Sequence, residues 1–386
     1  MRPRSRARRW WLGGVGALLL AVGLVGAWLR PGLSFVARAA GFQDGLAGRL
    51  ARWDQGPITR SDLDVPSRHG PLRARLHRPA RPGGRTVLLV PGVHAEGVDE
   101  PRLNRLAGDL AAQGLTVLTL ELPDLLRYQL TPRAPDMIED AVRWAAGQPA
   151  LAPDGRVGLL GISFSGGLAL VAAGRPGLAG ALAFTVSLGG HGDLARVLAF
   201  LCTGVQADGQ ARRPHDYGVV ILLLNLAEQL VPPAQVEPLR EGIRTFLRAS
   251  HLAMHDPRRA EETFAEARRQ RERLPEPAGT LLGYVNARDV AALGPVLAPH
   301  VKDFAGARAL SPEGAAPPTH RVFLLHGAED TVVPALEAER LARALKPRTR
   351  VWLLRSPLIG HAELGAVADP WEVLRLAAFW AAVLDA

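Results

Sequence analysis

RVGLLGISFSGGLALVAAG, residues 156–174, decides how the whole chain is read. Its first part is a short apolar run of the kind that forms a strand buried on both faces. Its last part, from Ser165 to Gly174, has helical composition and ends at a glycine. Between them lies Gly161-Ile162-Ser163-Phe164-Ser165-Gly166-Gly167. A serine on a sharp strand-to-helix turn is lifted above the sheet edge, and the crowded backbone there needs small residues two before and two after it. Gly161 and Ser165 flank Ser163 in that way, in a G-x-S-x-S pattern where G-x-S-x-G is usual. Ser163 is therefore the candidate nucleophile. Choosing Ser165 instead would make the preceding strand too long.

A serine hydroxyl needs a general base near neutral pH, and the base needs a carboxylate to orient it. Both are found downstream. HGAEDTVVP (326–334) follows the apolar run HRVFLLHG and puts Asp330 in the loop beyond it. LIGHAEL (358–364) follows RVWLLRS and puts His361 in the next loop. Glu329 is a rival for the acid, but the H-G-x-x-D spacing favours Asp330, which also has a plain alternative role as a helix cap.

Working outward, strand-like and helix-like segments alternate from about residue 61. The strand-like ones are LRARLHRP (72–79), RTVLLVPG (85–92), LTVLTLELP (115–123), GRVGLLGIS (155–163) and ALAFTVSLGG (181–190), with helical patterns over 100–114, 137–148 and 165–174. The alternation stops over about 192–318, which reads as helices alone, and resumes with 320–327, 335–346, 350–356 and 370–384. Such alternation predicts a mostly parallel sheet covered on both faces. The helical block then sits as a lid at the sheet edge where such folds keep their sites. The expected division is an N-terminal segment (1–30), a connector (31–64) and an α/β domain (65–386) carrying that lid.

The order Ser163, Asp330, His361, each in a loop after its own strand, resembles the α/β-hydrolase superfamily from about residue 65 to the C-terminus. VPGVHAEG, after the 85–92 run, matches the segment where these enzymes place half of the oxyanion hole, with Pro-Gly where many members have His-Gly. Within the superfamily the chain looks most similar to dienelactone-hydrolase-like and carboxylesterase-like bacterial members. The resemblance implies an α/β-hydrolase fold and a Ser163-His361-Asp330 triad. It implies that the backbone N–H groups of Val93 and Phe164 hold the oxyanion, and that the reaction is ester hydrolysis through an acyl-enzyme. Acyl transfer with the same triad, or a non-catalytic binding role on the same fold, stands as the alternative. The substrate expected is a small-molecule or lipid ester. His94, in the oxyanion loop, is either a substrate contact or a solvent-facing loop residue. His191, in GGHGD (189–193), and its neighbour Asp193 are substrate contacts at the rim, alternative acids, or loop and capping residues.

Composition narrows the classes. The formal charge of +9 suggests nucleic acid, but five arginines crowd into the first nine residues and no basic stripe is interleaved with aromatics. No nucleic-acid partner is expected. Cys202 is the only cysteine, so no intrachain disulfide and no cysteine metal site can form. No zinc, calcium, dinucleotide or phosphate-loop motif occurs, and neither metal nor cofactor is expected.

The N-terminus carries an arginine-rich run followed by WWLGGVGALLLAVGLVGAWL (10–29), twenty residues without charge. At about 1.5 Å per residue this spans roughly 30 Å, the thickness of a bilayer core. It predicts an N-terminal transmembrane helix, single-pass in a bacterial inner membrane, with the arginines cytoplasmic and the catalytic domain outside. The rival expectations are a signal peptide cleaved near Val25–Ala27 and a twin-arginine signal at Arg8-Arg9.

Overall fold

The structure, a computed structural model, describes residues 4–53, 56–83, 85–301, 308–360 and 369–386, with the backbone alone for 4–20 and 22. Its strands are β1 (Ile58–Val65), β2 (Leu72–Pro79), β3 (Thr86–Val90), β4 (Thr116–Leu120), β5 (Val157–Ile162), β6 (Leu182–Leu188), β7 (Arg321–Gly327) and β8 (Val351–Ser356). They form one sheet in the order β1-β2-β4-β3-β5-β6-β7-β8. β2 runs antiparallel to both neighbours, and every pairing from β4 to β8 is parallel. The sheet is thus mixed, with β2 the one reversed strand.

The helices are α1 (Arg4–Ala39), α2 (Gly45–Ala51), α3 (Pro101–Ala112), α4 (Pro123–Leu126), α5 (Arg133–Ala146), α6 (Phe164–Ala173) and α7 (Leu194–Thr203). They continue with α8 (Asp216–Leu230), α9 (Pro233–Leu252), α10 (Pro257–Arg273), α11 (Ala278–Asn286), α12 (Val290–Val301), α13 (Leu336–Leu345) and α14 (Pro370–Leu384). The central strands are buried on both faces, which is why their sequences read as continuous apolar runs. Side chains still alternate along them. In β3, Val87 and Leu89 pack with Leu103 and Leu110 of α3 and Phe379 of α14. Leu88 and Val90 face the other way, towards Met137 and Ile138 of α5 and Leu168 of α6. Helices α7 to α12 fall between β6 and β7, and their apolar faces continue that second core.

The N-terminal helix corrects one expectation. Among the described residues, no helix is long and apolar enough to cross a membrane. That overturns the reading of residues 10–29 as a transmembrane anchor, the membrane as partner, and the inner-membrane location derived from it. The side chains of the arginine run and of most of the 10–29 stretch lie outside the described residues. Those described further along α1 show where its apolar character goes. Arg30 and Arg38 break its apolar pattern, while Phe35 and Val36 are buried in the domain core. The Phe35 ring lies 4.3 Å from that of Trp380 on α14. A Cβ on Gly32 would fall 1.9 Å from the Ala377 carbonyl oxygen, so the two helix backbones touch. The end of α1 packs against protein.

Candidate active site

β5 lies in the middle of the sheet, between β3 and β6, and Ser163 follows its last residue. Ser163 has φ 56° and ψ −134°, a backbone region that side chains disfavour. Its surroundings impose this. The Ser163 N–H donates to the Leu188 carbonyl at 2.7 Å, and its carbonyl accepts from the Gly166 N–H at 2.8 Å. The small residues flanking it are sterically required. A Cβ on Gly161 would lie 2.2 Å from the Ser165 carbonyl oxygen. Ser165, at the other small position, uses its hydroxyl: buried, it donates to the Pro91 carbonyl at 2.6 Å and ties the elbow to the loop after β3.

That loop carries Val93. A Cβ on Gly92 would sit 3.5 Å from Ser163 Cβ, so the loop backbone passes directly beside the serine. The Tyr217 hydroxyl, from α8, donates to the Val93 carbonyl at 2.6 Å and pins the loop from above. Among the described residues, neither the Val93 N–H nor the Phe164 N–H has a hydrogen-bond acceptor. Phe164 is the first residue of α6, where backbone N–H groups have no intrahelical partner and favour negative charge.

Asp330 is buried in the loop after β7. Its Oδ1 accepts from the Val332 and Val333 N–H groups at 2.8 and 3.0 Å, bonds that hold the carboxylate in place. His326 Nε2 stands 3.5 Å from Asp330 Oδ2, but it is bonded to the Val333 carbonyl at 2.8 Å. Glu329, the rival acid, is largely exposed and pairs with Arg212 at 2.6 Å. His361 lies outside the described residues. The chain just before it is described: a Cβ on Gly327 would meet the Ile359 and Gly360 carbonyl oxygens at 2.5 Å, so the loop after β8 folds onto the end of β7.

A cavity of about 890 Å³ opens over these parts, lined by Ser163, Phe164, Val93, Ile359 and Gly360 among others. The helices between β6 and β7 wall it with Tyr217, Leu247, His251, Met254 and Arg288. Tyr128, also in the lining, has its hydroxyl pushed up to about 12, chiefly by burial. None of these was marked as a site residue from sequence. Their position depends on how the inserted helices fold back, and no local motif announces it.

The two histidines marked as substrate contacts separate. His94 lines the cavity. Its Nε2 lies 2.8 Å from His251 Nδ1, and its Nδ1 accepts from the Glu96 N–H at 3.1 Å. Burial, then the neighbouring His251, lowers its pKa to about 4, so it is neutral at pH 7. His191 is wholly buried instead, beneath α6, with Nε2 2.8 Å from the Leu310 carbonyl oxygen. Its ring lies against Phe164 at 5.7 Å between centroids, and a Cβ on Gly167 would strike it at 2.3 Å. Burial lowers its pKa. Asp193 caps α7, accepting from the Arg196 N–H at 2.9 Å.

The mixed sheet flanked by helices agrees with the α/β class read from the sequence. The chain is similar to several solved structures over most of its length. A hyperthermophilic esterase from Pyrobaculum calidifontis is 18% identical, covering 86% of this chain and 85% of its own, with a TM-score of 0.47. An esterase from Pyrococcus furiosus is 13% identical, covering 85% and 92%, with a TM-score of 0.46. A thermostable carboxylesterase cloned from a metagenomic library is 18% identical, covering 86% and 92%, with a TM-score of 0.45. No protein-family model and no curated protein matches the chain.

Proposed function

We propose that the chain is a serine hydrolase that cleaves a carboxylic ester of an apolar acyl group. The observation that carries this reading is Ser163, held in a strained conformation at the wall of a large cavity between two backbone N–H groups without acceptors. Strain at one residue persists only where the surroundings impose it, and it concentrates at functional sites.

In this reading His361 takes the proton of the Ser163 hydroxyl as its Oγ attacks the ester carbonyl carbon. The carbonyl π bond opens, and the charge passes to an oxygen facing the Val93 and Phe164 N–H groups. Asp330 orients the imidazole and stabilises its cation. The tetrahedral intermediate collapses, the C–O bond to the alcohol breaks, and His361 gives its proton to the leaving oxygen. Water, deprotonated by the same imidazole, then releases the acid from Ser163. The Tyr217 bond to Val93 supports this step by fixing the loop that supplies one donor. Leu247 and Met254 in the cavity wall suit an apolar acyl chain.

A second reading, acyl transfer to an alcohol, draws support from the same wall. The inserted segment walls a cavity of about 890 Å³ with Leu247 and Met254 beside the polar Tyr217, His251 and Arg288, which leaves room for an acceptor alcohol beside an acyl group. Turnover of p-nitrophenyl esters of increasing acyl length, with and without added alcohols, tests both. Hydrolysis is expected, lost in Ser163→Ala. New ester in the presence of alcohol would assign transfer. Equal rates for wild type and Ser163→Ala would refute both readings.

A further inference from the structure

Beside the cavity, three side chains from two distant parts of the chain converge. His94 and Glu96 lie in the loop after β3, and His251 lies near the end of α9. Each offers one ligand atom, and these atoms all fall within 4.8 Å of one another. His94 Nε2 and His251 Nδ1 are 2.8 Å apart, and His251 Nε2 is 3.0 Å from Glu96 Oε2. His251 is buried, with 7% of its surface exposed. Its Nε2 has no hydrogen-bond partner: the Glu96 oxygen is close but misaligned. A buried imidazole nitrogen without a bonded partner, beside a carboxylate and a second imidazole, is an unfilled donor set.

We propose that His94, Glu96 and His251 form a site for a divalent transition metal of the zinc class, which clamps the inserted helices to the oxyanion loop. Two imidazoles and one carboxylate are borderline ligands that suit zinc, with water completing the shell. Two ligand atoms on a tetrahedral zinc, with bonds of about 2.0–2.1 Å, stand roughly 3.3 Å apart. The 2.8 Å between the two histidine nitrogens needs only a small opening. Glu96 has 41% of its side chain exposed and is free to swing towards the ion. The proton balance is simple. The ion takes the lone pairs of His94 Nε2 and His251 Nδ1 in place of the hydrogen bond between them, each ring keeps one proton, on His94 Nδ1 and on His251 Nε2, and the 3.1 Å contact from the Glu96 N–H is given up. The sequence carries no metal motif because His94 and His251 are 157 residues apart.

The test uses the full chain, free of any affinity tag, stripped with a chelator and titrated with Zn²⁺ by calorimetry. One ion per chain is expected, together with a rise in melting temperature on loading. His94→Ala and His251→Ala should each weaken binding by more than about tenfold, the scale on which even supporting residues act. Glu96→Gln should weaken it less and keep part of the zinc-dependent rise in melting temperature, most of which His94→Ala and His251→Ala should lose. Circular dichroism checks that each variant is folded. Should His251→Ala not fold, His94→Ala and Glu96→Gln, both on the loop, decide the matter alone. Absence of binding by the wild-type chain, or binding as tight in the variants as in the wild type, overturns the proposal. None of these readouts depends on ester turnover.

Discussion

Replacing Ser163 by glycine should stabilise the fold, although it removes the proposed nucleophile. The φ of 56° and ψ of −134° cost energy because Ser163 has a Cβ. A residue held in such a region is strained by about 1–3 kcal/mol, which glycine does not feel. Glycine in turn gains freedom in the unfolded chain, a loss of about 0.4–1 kcal/mol. The balance is a gain near 1 kcal/mol over Ser163→Ala, which keeps the Cβ and the strain. With about 2.1 cal/mol/K of unfolding entropy per residue, a chain of 386 residues gains roughly 1 °C in melting temperature per kcal/mol. Calorimetry on the two variants side by side resolves that, and denaturant midpoints give an independent measure. Both variants lack the hydroxyl, so hydroxyl chemistry cancels. A glycine variant that unfolds at or below the alanine variant would refute the argument that the elbow stores strain.

Gly161→Ala should shift the whole elbow, because its Cβ would lie 2.2 Å from the Ser165 carbonyl oxygen, a backbone atom that cannot rotate away. Ester turnover is expected to fall about a hundredfold, the scale of a 1 Å misplacement; near-normal kcat would contradict this. Tyr217→Phe leaves the Val93 carbonyl without its 2.6 Å partner, at a cost of about 1–3 kcal/mol in unfolding free energy. It should lower kcat more than it raises KM, and steady-state kinetics separate the two. His77 is buried in β2, and burial above all lowers its pKa from 6.5 to about 4. Between those values the unfolded chain binds the proton that the folded chain refuses, so stability falls as pH drops from 6.5 to 4. The most this site can contribute is about 3 kcal/mol. His77→Leu should flatten that part of the stability–pH curve, and an unchanged slope would count against it.

Much of the sheet was legible because its strands are short apolar runs bounded by glycine or proline, as at 85–92 and 155–163, or alternate, as at 72–79. β1 was not, since Ile58–Val65 lies at the sheet edge with most of its side chains exposed. Its hold on β2 includes ion pairs such as Asp62 with Arg75, which leave no apolar pattern. The elbow was legible because its steric demands are local and written in small residues. The surroundings of His94 were not, because its partner His251 arrives from a helix whose path depends on tertiary packing. His191 is a different case, for which the sequence left a substrate contact and a loop role both open. A histidine in a glycine-rich loop after a strand suggests a rim, yet Gly167 makes room for its ring beneath α6. The N-terminal helix was hard to read because a helix docking on a core and a helix facing lipid both need apolar side chains: Leu24 and Val25, within 10–29, are exposed, and the described side chains become buried only from Gly32 onward. Phe35 meets Trp380 here, and the sequence does not say which surface awaits it.

The central claim is that Ser163 is an activated nucleophile, and covalent labelling tests it most directly. The full chain is treated with a fluorophosphonate probe beside Ser163→Ala, and the adduct is mapped by mass spectrometry. The account predicts a single adduct on Ser163, absent from the variant. A folded protein that takes no label, or takes it on another serine, would contradict it.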